Sequence, residues 1–193
     1  MSRLLAAVLC LPLLLGLLPA QAAEEQLFSA DGYRLTRYRS PTPASVDGAQ
    51  TVDTATLQQL LAGQQPPVLI DVFRRPWLHG QFVSDTAHQN IPGSLWLANV
   101  GEGQPEAQWL DYFRHYLAQA SGGDRTRALV FYCKSDCWLS WNASKRAAAL
   151  GYTRLYWYRD GIDAWQQAGR PVQTAKPAPL LREQSHRQLQ ESR

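Results

Sequence analysis

The sequence predicts an α/β domain with a mostly parallel central sheet flanked by helices, and three observations predict it. Two continuous apolar runs, Val68-Leu69-Ile70-Asp71-Val72-Phe73 and Ala128-Leu129-Val130-Phe131-Tyr132, suit strands covered on both faces. Between and after them lie segments whose apolar residues recur at helical spacing. Strand then helix alternate along the chain, the order that a layered α/β architecture requires.

Residues 1–22 read as an address that precedes the fold. Arg3 supplies a positive start, Leu4 to Leu18 an apolar stretch, and Ala20-Gln21-Ala22 a small-residue cleavage site. An uncleaved anchor is the competing reading. Pro12, Gly16 and Pro19 interrupt the run, and it falls short of the roughly 18 residues of a spanning helix, so cleavage and no membrane span are expected. Cys10 leaves with this segment. Residues 23–50 mix Pro, Gly and polar residues and read as an extended lead-in.

From residue 51 the elements follow in order. Thr51-Val52 is a short strand, and Asp53 caps a helix carrying Leu57, Leu60 and Leu61 that Gly63 stops. After the run at 68–73, residues 74–90 read as polar and irregular, and Leu95-Trp96-Leu97 as another strand. Pro105 opens a helix with Trp109, Tyr112, Phe113, Tyr116 and Leu117 on one face, ended by Ser121-Gly122-Gly123. After the run at 128–132, a helix starts near Leu139 or Ser140, carries Ala143, Ala147 and Leu150, and closes at Gly151. Leu155-Tyr156-Trp157-Tyr158 is a strand, and Asp163 starts a short helix closing at Gly169. The domain is bounded at 51–172, and 173–193 reads as a polar, mobile tail.

Nineteen basic and sixteen acidic residues give a formal charge of +3, or +2 once Arg3 is removed, too mild to argue for nucleic acid. The simplest role of the seven Trp is to fill the core. Loss of the leader leaves two cysteines, Cys133 and Cys137, in a compartment where disulfides persist. Closing so small a loop removes little entropy from the unfolded chain, so chemistry explains the pair better than stapling does. The four histidines, His79, His88, His115 and His186, show no metal spacing, and no metal or cofactor is expected.

The arrangement strand, Cys133, tight loop, helix favours a thiolate. Amides left unpaired in the loop and the first helical turn are expected to converge on the sulfur, lowering its pKa and keeping it ionised and accessible. Cys133 is the candidate nucleophile. A phosphatase reading fails, because the sixth position after it is Leu139 where an Arg would be needed to bind phosphate.

Three segments in this order resemble the rhodanese (sulfurtransferase) family: Leu69-Ile70-Asp71-Val72, His88-Gln89-Asn90-Ile91-Pro92-Gly93-Ser94, and the stretch from Leu129 through Cys133 to Gly151, closed by Gly161-Ile162-Asp163-Ala164-Trp165. The resemblance implies a three-layer fold with the sheet in the middle. Cys133-Lys134-Ser135-Asp136-Cys137-Trp138, with Ser140-Trp141-Asn142-Ala143 and Asp31-Gly32-Tyr33-Arg34, is similar to an exported rhodanese-like family marked by a Cys-x-x-x-Cys-Trp motif and associated with pyrroloquinoline-quinone (PQQ)-dependent alcohol catabolism. That similarity implies a periplasmic location and a partner in a quinoprotein system.

Active rhodaneses carry Gly three positions and a basic residue five positions after the nucleophile, where this chain has Asp136 and Trp138. Asp136 would repel a dianionic donor such as thiosulfate, with Lys134, Arg74 and Arg75 as the nearby charges to compensate. The catalytic expectation is Cys133 as nucleophile and Cys137 as resolving partner, with Lys134, Ser135, Asp136, Trp138 and Arg74 around the substrate. That substrate would be a small sulfur-containing anion or a protein thiol. Sulfane-sulfur transfer through a Cys133 persulfide leads. The alternatives are thiol–disulfide exchange by the pair and a binding module without catalysis. His88, Asp71 and Asp160 are expected to serve structure, and Trp138 and Trp141 to pack.

Overall fold

The computed structural model describes residues 25–180. The leader expected at 1–22 and the end of the tail, 181–193, lie outside the described residues. Along the chain run β1 (Gln50–Val52), α1 (Thr54–Ala62), β2 (Val68–Asp71), β3 (Trp77–Leu78), β4 (Gln81–Phe82), β5 (His88–Asn90) and β6 (Leu95–Trp96). There follow α2 (Ala107–Ser121), β7 (Leu129–Tyr132), α3 (Trp138–Ala149), β8 (Leu155–Tyr158), α4 (Gly161–Gln167) and β9 (Gln173–Ala175). Five strands form one parallel sheet in the order β1-β8-β7-β2-β6.

The central strand β7 shows how the three layers arise. All four of its side chains are buried, and they alternate between two cores. Leu129 and Phe131 join Phe113 and Leu117 of α2 and Leu139 and Ala143 of α3. Val130 and Tyr132 join Leu57 of α1 and Ile162 and Trp165 of α4. Helices on both faces are therefore what the unbroken apolar run demanded. Truncating Phe131 to Ala would cost about 3–5 kcal/mol.

Local signals act as expected at most helix ends. The Asp53 carboxylate accepts from the Thr56 N–H at 2.7 Å, and Gly122 (φ +63°) ends α2 in the left-handed region. All five apolar positions assigned to α2 are buried. Three starts differ by a residue or two: α2 begins after Glu106, α3 already at Trp138, and α4 at Gly161 rather than Asp163.

Two larger differences concern segments that read as unstructured. Residues 74–90 contain the hairpin β3–β4, with Trp77 opposite Phe82, and β5, which pairs antiparallel with β9. Residues 173–180 belong to the domain, because Ala178 and Leu180 are buried and Ala178 N–H donates to Trp96 O at 2.9 Å. Tyr112 and Tyr116 hydroxyls donate to Ala178 O and Pro179 O. These contacts are long-range, so periodicity could not reveal them. Among the described residues no helix is long and apolar enough to cross a membrane.

Candidate functional site

Cys133 follows the last residue of β7, in the crevice at the carboxyl ends of the parallel strands where open α/β sheets place their sites. It is joined to Cys137 by a disulfide with Cα atoms 6.1 Å apart, and Cys137 is the residue that caps α3. Each cysteine is 1% exposed. This corrects the expectation of an ionised, accessible sulfur at Cys133: in this state the sulfur is bonded and covered.

The loop amides are also committed otherwise than the sequence suggested. Ser135 donates both its N–H (3.0 Å) and its hydroxyl (2.9 Å) to Asp163 Oδ2, and Trp138 N–H donates to Tyr38 O at 2.9 Å. Two donors expected at the sulfur thus hold the loop to its neighbours. Asp163 was expected only to start α4, and its partner at Ser135 lies 28 residues away in sequence, beyond the reach of local patterning.

One side of the loop is built by residues 159–165. Ile162 N–H donates to Cys133 O at 2.9 Å, and Gly161 (φ +61°) lies directly against the loop backbone. A Cβ there would meet the Cys133 carbonyl oxygen and stand 2.7 Å from the carbonyl carbon of Lys134, so only glycine fits. The other side is built by the lead-in. Arg39 and Cys137 face each other in an antiparallel bridge, and an Arg39 guanidinium N–H donates to Ser135 O. Thr42 N–H donates to Asp136 Oδ1 (3.3 Å), and Arg159 in turn donates to Thr42 Oγ1 and O.

Asp136 occupies the position where the resemblance expects glycine, and it adopts a left-handed backbone (φ +48°). The turn keeps its shape, while the carboxylate engages the lead-in. Trp138 is likewise turned to the lead-in: its indole N–H donates to Ser40 Oγ at 3.0 Å, and the Arg34 guanidinium sits 4.8 Å above its ring. Trp141 donates to Ser45 O. Both tryptophans pack, as expected, against a segment that supplied no periodic signal.

A cleft of about 740 Å³ opens beside the loop, and Cys137 rather than Cys133 is the cysteine on its wall. Arg37, Arg39, Arg74 and Arg75 line it, with Phe73 and Leu139 as apolar wall and no acidic side chain. Arg74, one of the expected substrate residues, makes no side-chain hydrogen bond among the described residues. Its backbone is fixed on both sides: Phe73 N–H donates to Asp71 Oδ1, Trp96 Nε1 donates to Phe73 O, and Asn99 bonds both the N–H and the C=O of Arg75. Arg37 pairs with Glu25 at 2.7 Å, and Arg75 stacks over Trp96. Lys134 reaches over the Phe73 ring at 5.3 Å from its centroid.

Asp71 and His88 form a buried pair, Nε2 to Oδ2 2.6 Å, with the imidazole stacked on Phe73 and against Trp96. The pair supports the turn that presents Arg74, a structural role as expected. Burial and then the Asp71 charge push the Tyr132 phenol well above its usual range. It donates to Ser94 Oγ and accepts from Ile91 N–H, so it ties β7 to the 91–94 turn. Tyr38, also on the cleft, is raised by burial, while the Gly103 N–H on its oxygen opposes the rise.

Of the expected site residues, the structure brings Arg74 and Cys137 to one cleft and sets Lys134 over the ring of Phe73, which lines it. Ser135, Asp136 and Trp138 bind protein groups instead. Sequence reading missed Arg37, Tyr38 and Arg39, although three arginines within the six residues 34–39 are a local basic cluster. Among the described residues no cluster of histidine, cysteine and carboxylate side chains is arranged to hold a metal.

Comparison with curated sequences finds no match. Solved structures similar to this chain include a complex of EanB with hercynine, at 20% identity and TM-score 0.47 over 66% of this chain and 32% of that one. The polysulfide-sulfur transferase homodimer of Wolinella succinogenes matches at 19% identity and TM-score 0.44, covering 67% of this chain and 81% of that one. A thiosulfate sulfurtransferase of Pseudomonas aeruginosa matches at 14% identity and TM-score 0.48, over 68% of this chain and 21% of that one. The chain thus spans about a third of the first protein's length and about a fifth of the third's. Residues 53–168, more than half of the sequence, match the model of the rhodanese-like domain, and the chain belongs to that family.

Proposed function

We propose that this protein takes up sulfane sulfur on Cys133 and discharges it by closing the Cys133–Cys137 disulfide. The observation that carries the reading is that disulfide, formed between the strand-end cysteine of a rhodanese-like domain and a second cysteine on the wall of an arginine-lined cleft. From the dithiol, the Cys133 thiolate attacks the outer sulfur of a donor such as thiosulfate, forming a persulfide and releasing sulfite. Cys137 then attacks the inner sulfur of that persulfide. The disulfide forms, and the outer sulfur leaves as sulfide with the proton that Cys137 gives up. The sum is thiosulfate and a dithiol giving sulfite, hydrogen sulfide and a disulfide. This joins the two chemistries the Cys pair suggests, sulfur transfer and thiol–disulfide exchange, into one cycle.

Export to the periplasm and service to a PQQ-dependent alcohol oxidation system belong to the same proposal. They rest on residues 1–22 and on the Cys-x-x-x-Cys-Trp motif. An oxidising compartment suits a protein whose two cysteines are joined in a disulfide.

The test is a single turnover. Protein reduced and freed of reductant is mixed with thiosulfate, and sulfite, sulfide and free thiols are counted. One sulfite and one sulfide per chain, with loss of both thiols, is the expected result. Thiols that persist with no sulfide released would refute the cycle.

A further inference from the structure

We infer that the disulfide is reopened by a small anionic thiol bound in the arginine cleft, which attacks the sulfur of Cys137 and expels Cys133 as the thiolate. The inference rests on the proposed cycle for its purpose, since a protein that ends each turnover as a disulfide needs a reductant. Its chemistry is read from the cleft alone.

Three observations carry it. First, exchange at a disulfide runs in line with the S–S bond, so the sulfur reached from the cleft is attacked and the other one leaves. Cys137 is among the residues of the cleft wall and Cys133 is not, so an approach from the cleft meets Cys137 first. Second, four arginines and no carboxylate line the cleft among the described residues, and Arg74, whose charge also acts on Glu102, makes no side-chain hydrogen bond among them and stands on a rigid turn. A thiol that also carries a sulfonate or carboxylate is the reductant such a wall concentrates. Third, with both cysteines 1% exposed, the bond lies beneath the surface that a folded reductase would meet. A cleft of about 740 Å³ is of the size that admits a small molecule.

The steps balance. The thiolate RS⁻ forms a bond to the Cys137 sulfur as the S–S bond breaks, giving a mixed disulfide on Cys137 and a thiolate on Cys133. A second RS⁻ attacks the outer sulfur of the mixed disulfide, leaving Cys137 as thiolate and releasing RSSR. Two thiols are oxidised, and one protein disulfide is reduced. The roles at reopening are thus the reverse of those in sulfur uptake: Cys137 carries the adduct and Cys133 departs.

The experiment uses the oxidised protein without thiosulfate, so that it is independent of sulfur uptake. The protein is mixed with 2-mercaptoethanesulfonate or with the cationic thiol cysteamine at equal thiolate concentration, and quenched with N-ethylmaleimide. Trypsin cuts after Lys134 and places the two cysteines on separate peptides. The adduct is expected on the Cys137 peptide and the maleimide on the Cys133 peptide, with the anionic thiol faster by about tenfold or more. Arg74→Gln should slow the anionic thiol by about 3- to 10-fold and leave cysteamine unslowed. Arg114→Gln, which removes the same charge from an exposed pair with Asp111 on α2, should change neither rate.

An adduct on Cys133, equal rates for the two thiols, or faster opening by thioredoxin than by the anionic thiol would each overturn the inference. Sulfide release from chemically reduced protein would then still stand. Loss of that release with the reopening result intact would instead overturn the proposed cycle.

Discussion

The two sides of the cysteine loop are held by different parts of the chain. On one side, Gly161, Ile162 and Asp163 grip Cys133 and Ser135 from within the stretch that matches the rhodanese-like domain. On the other, residues 34–42 precede that stretch and reach the loop through Arg39, Thr42 and the Trp138 contacts. On the first side Gly161 and Ile162 meet the loop backbone to backbone, with no room for a side chain at Gly161, and the Asp163 carboxylate holds Ser135. The second is built of guanidinium, indole and carboxylate groups. The matched stretch places the cysteine and supplies Arg74, Arg75 and the apolar wall of the cleft, and the preceding segment adds Arg37, Tyr38 and Arg39.

Predictions that break this comparison begin at the sulfur. Cys133→Ser should lower thiosulfate-dependent sulfide release by about a thousandfold or more, since no other group replaces the nucleophile. Cys137→Ser should accept sulfur once and then stall, read as one persulfide per chain without sulfide.

On the side matched to the family, Gly161→Ala combines a left-handed backbone with a clash against the loop. It should cost about 2–4 kcal/mol in urea unfolding. On the lead-in side, Asn142 is fully buried, with Oδ1 accepting from Arg34 N–H and Nδ2 donating to Arg34 O and Gly101 O. Asn142→Ala should cost about 2–3 kcal/mol, because buried backbone groups lose their partners. Hydrogen exchange should quicken at residues 34–42 and stay unchanged in β7. Asp163→Ala should cost about 1–2 kcal/mol and quicken exchange at the loop instead. If the two variants gave the same exchange pattern, the two sides would not be separate units.

The smallest effect concerns Glu102. Burial raises its carboxyl above the ordinary value of 4.5, while Arg74 opposes the rise. A raised carboxyl pKa stabilises the fold fully below the unfolded value, and that contribution is lost as pH climbs through the folded pKa. Glu102→Gln should therefore flatten the decline in stability above about pH 4.5, followed by thermal unfolding across pH.

How much of this was legible in the sequence depended on whether a signal was local. The sheet strands, α2 with its five apolar positions, the Asp53 cap and the left-handed ends at Gly122 and Gly151 follow from spacing within a few residues. The position of Cys133 at the end of a strand and its nearby second cysteine were equally local. Pairing of β5 with β9 and docking of Ala178 on Trp96 join residues more than eighty positions apart, and polar composition hid them. The same limit applied to the cleft: Arg74 was found beside the β2 strand, whereas Arg37 and Arg39 arrive from a segment with no periodicity. Asp136 shows a different failure. Its charge suggested repulsion of an anion, but the left-handed turn directs the carboxylate to Thr42 N–H.

The central claim is that Cys133 is the sulfur acceptor once the disulfide is opened. Its most direct test is mass spectrometry of reduced Cys137→Ser protein after brief exposure to thiosulfate, with the Cys133 peptide isolated by trypsin. A persulfide on Cys133 in most of the chains is the predicted result. An unmodified Cys133 thiol in protein shown to be folded would contradict the account.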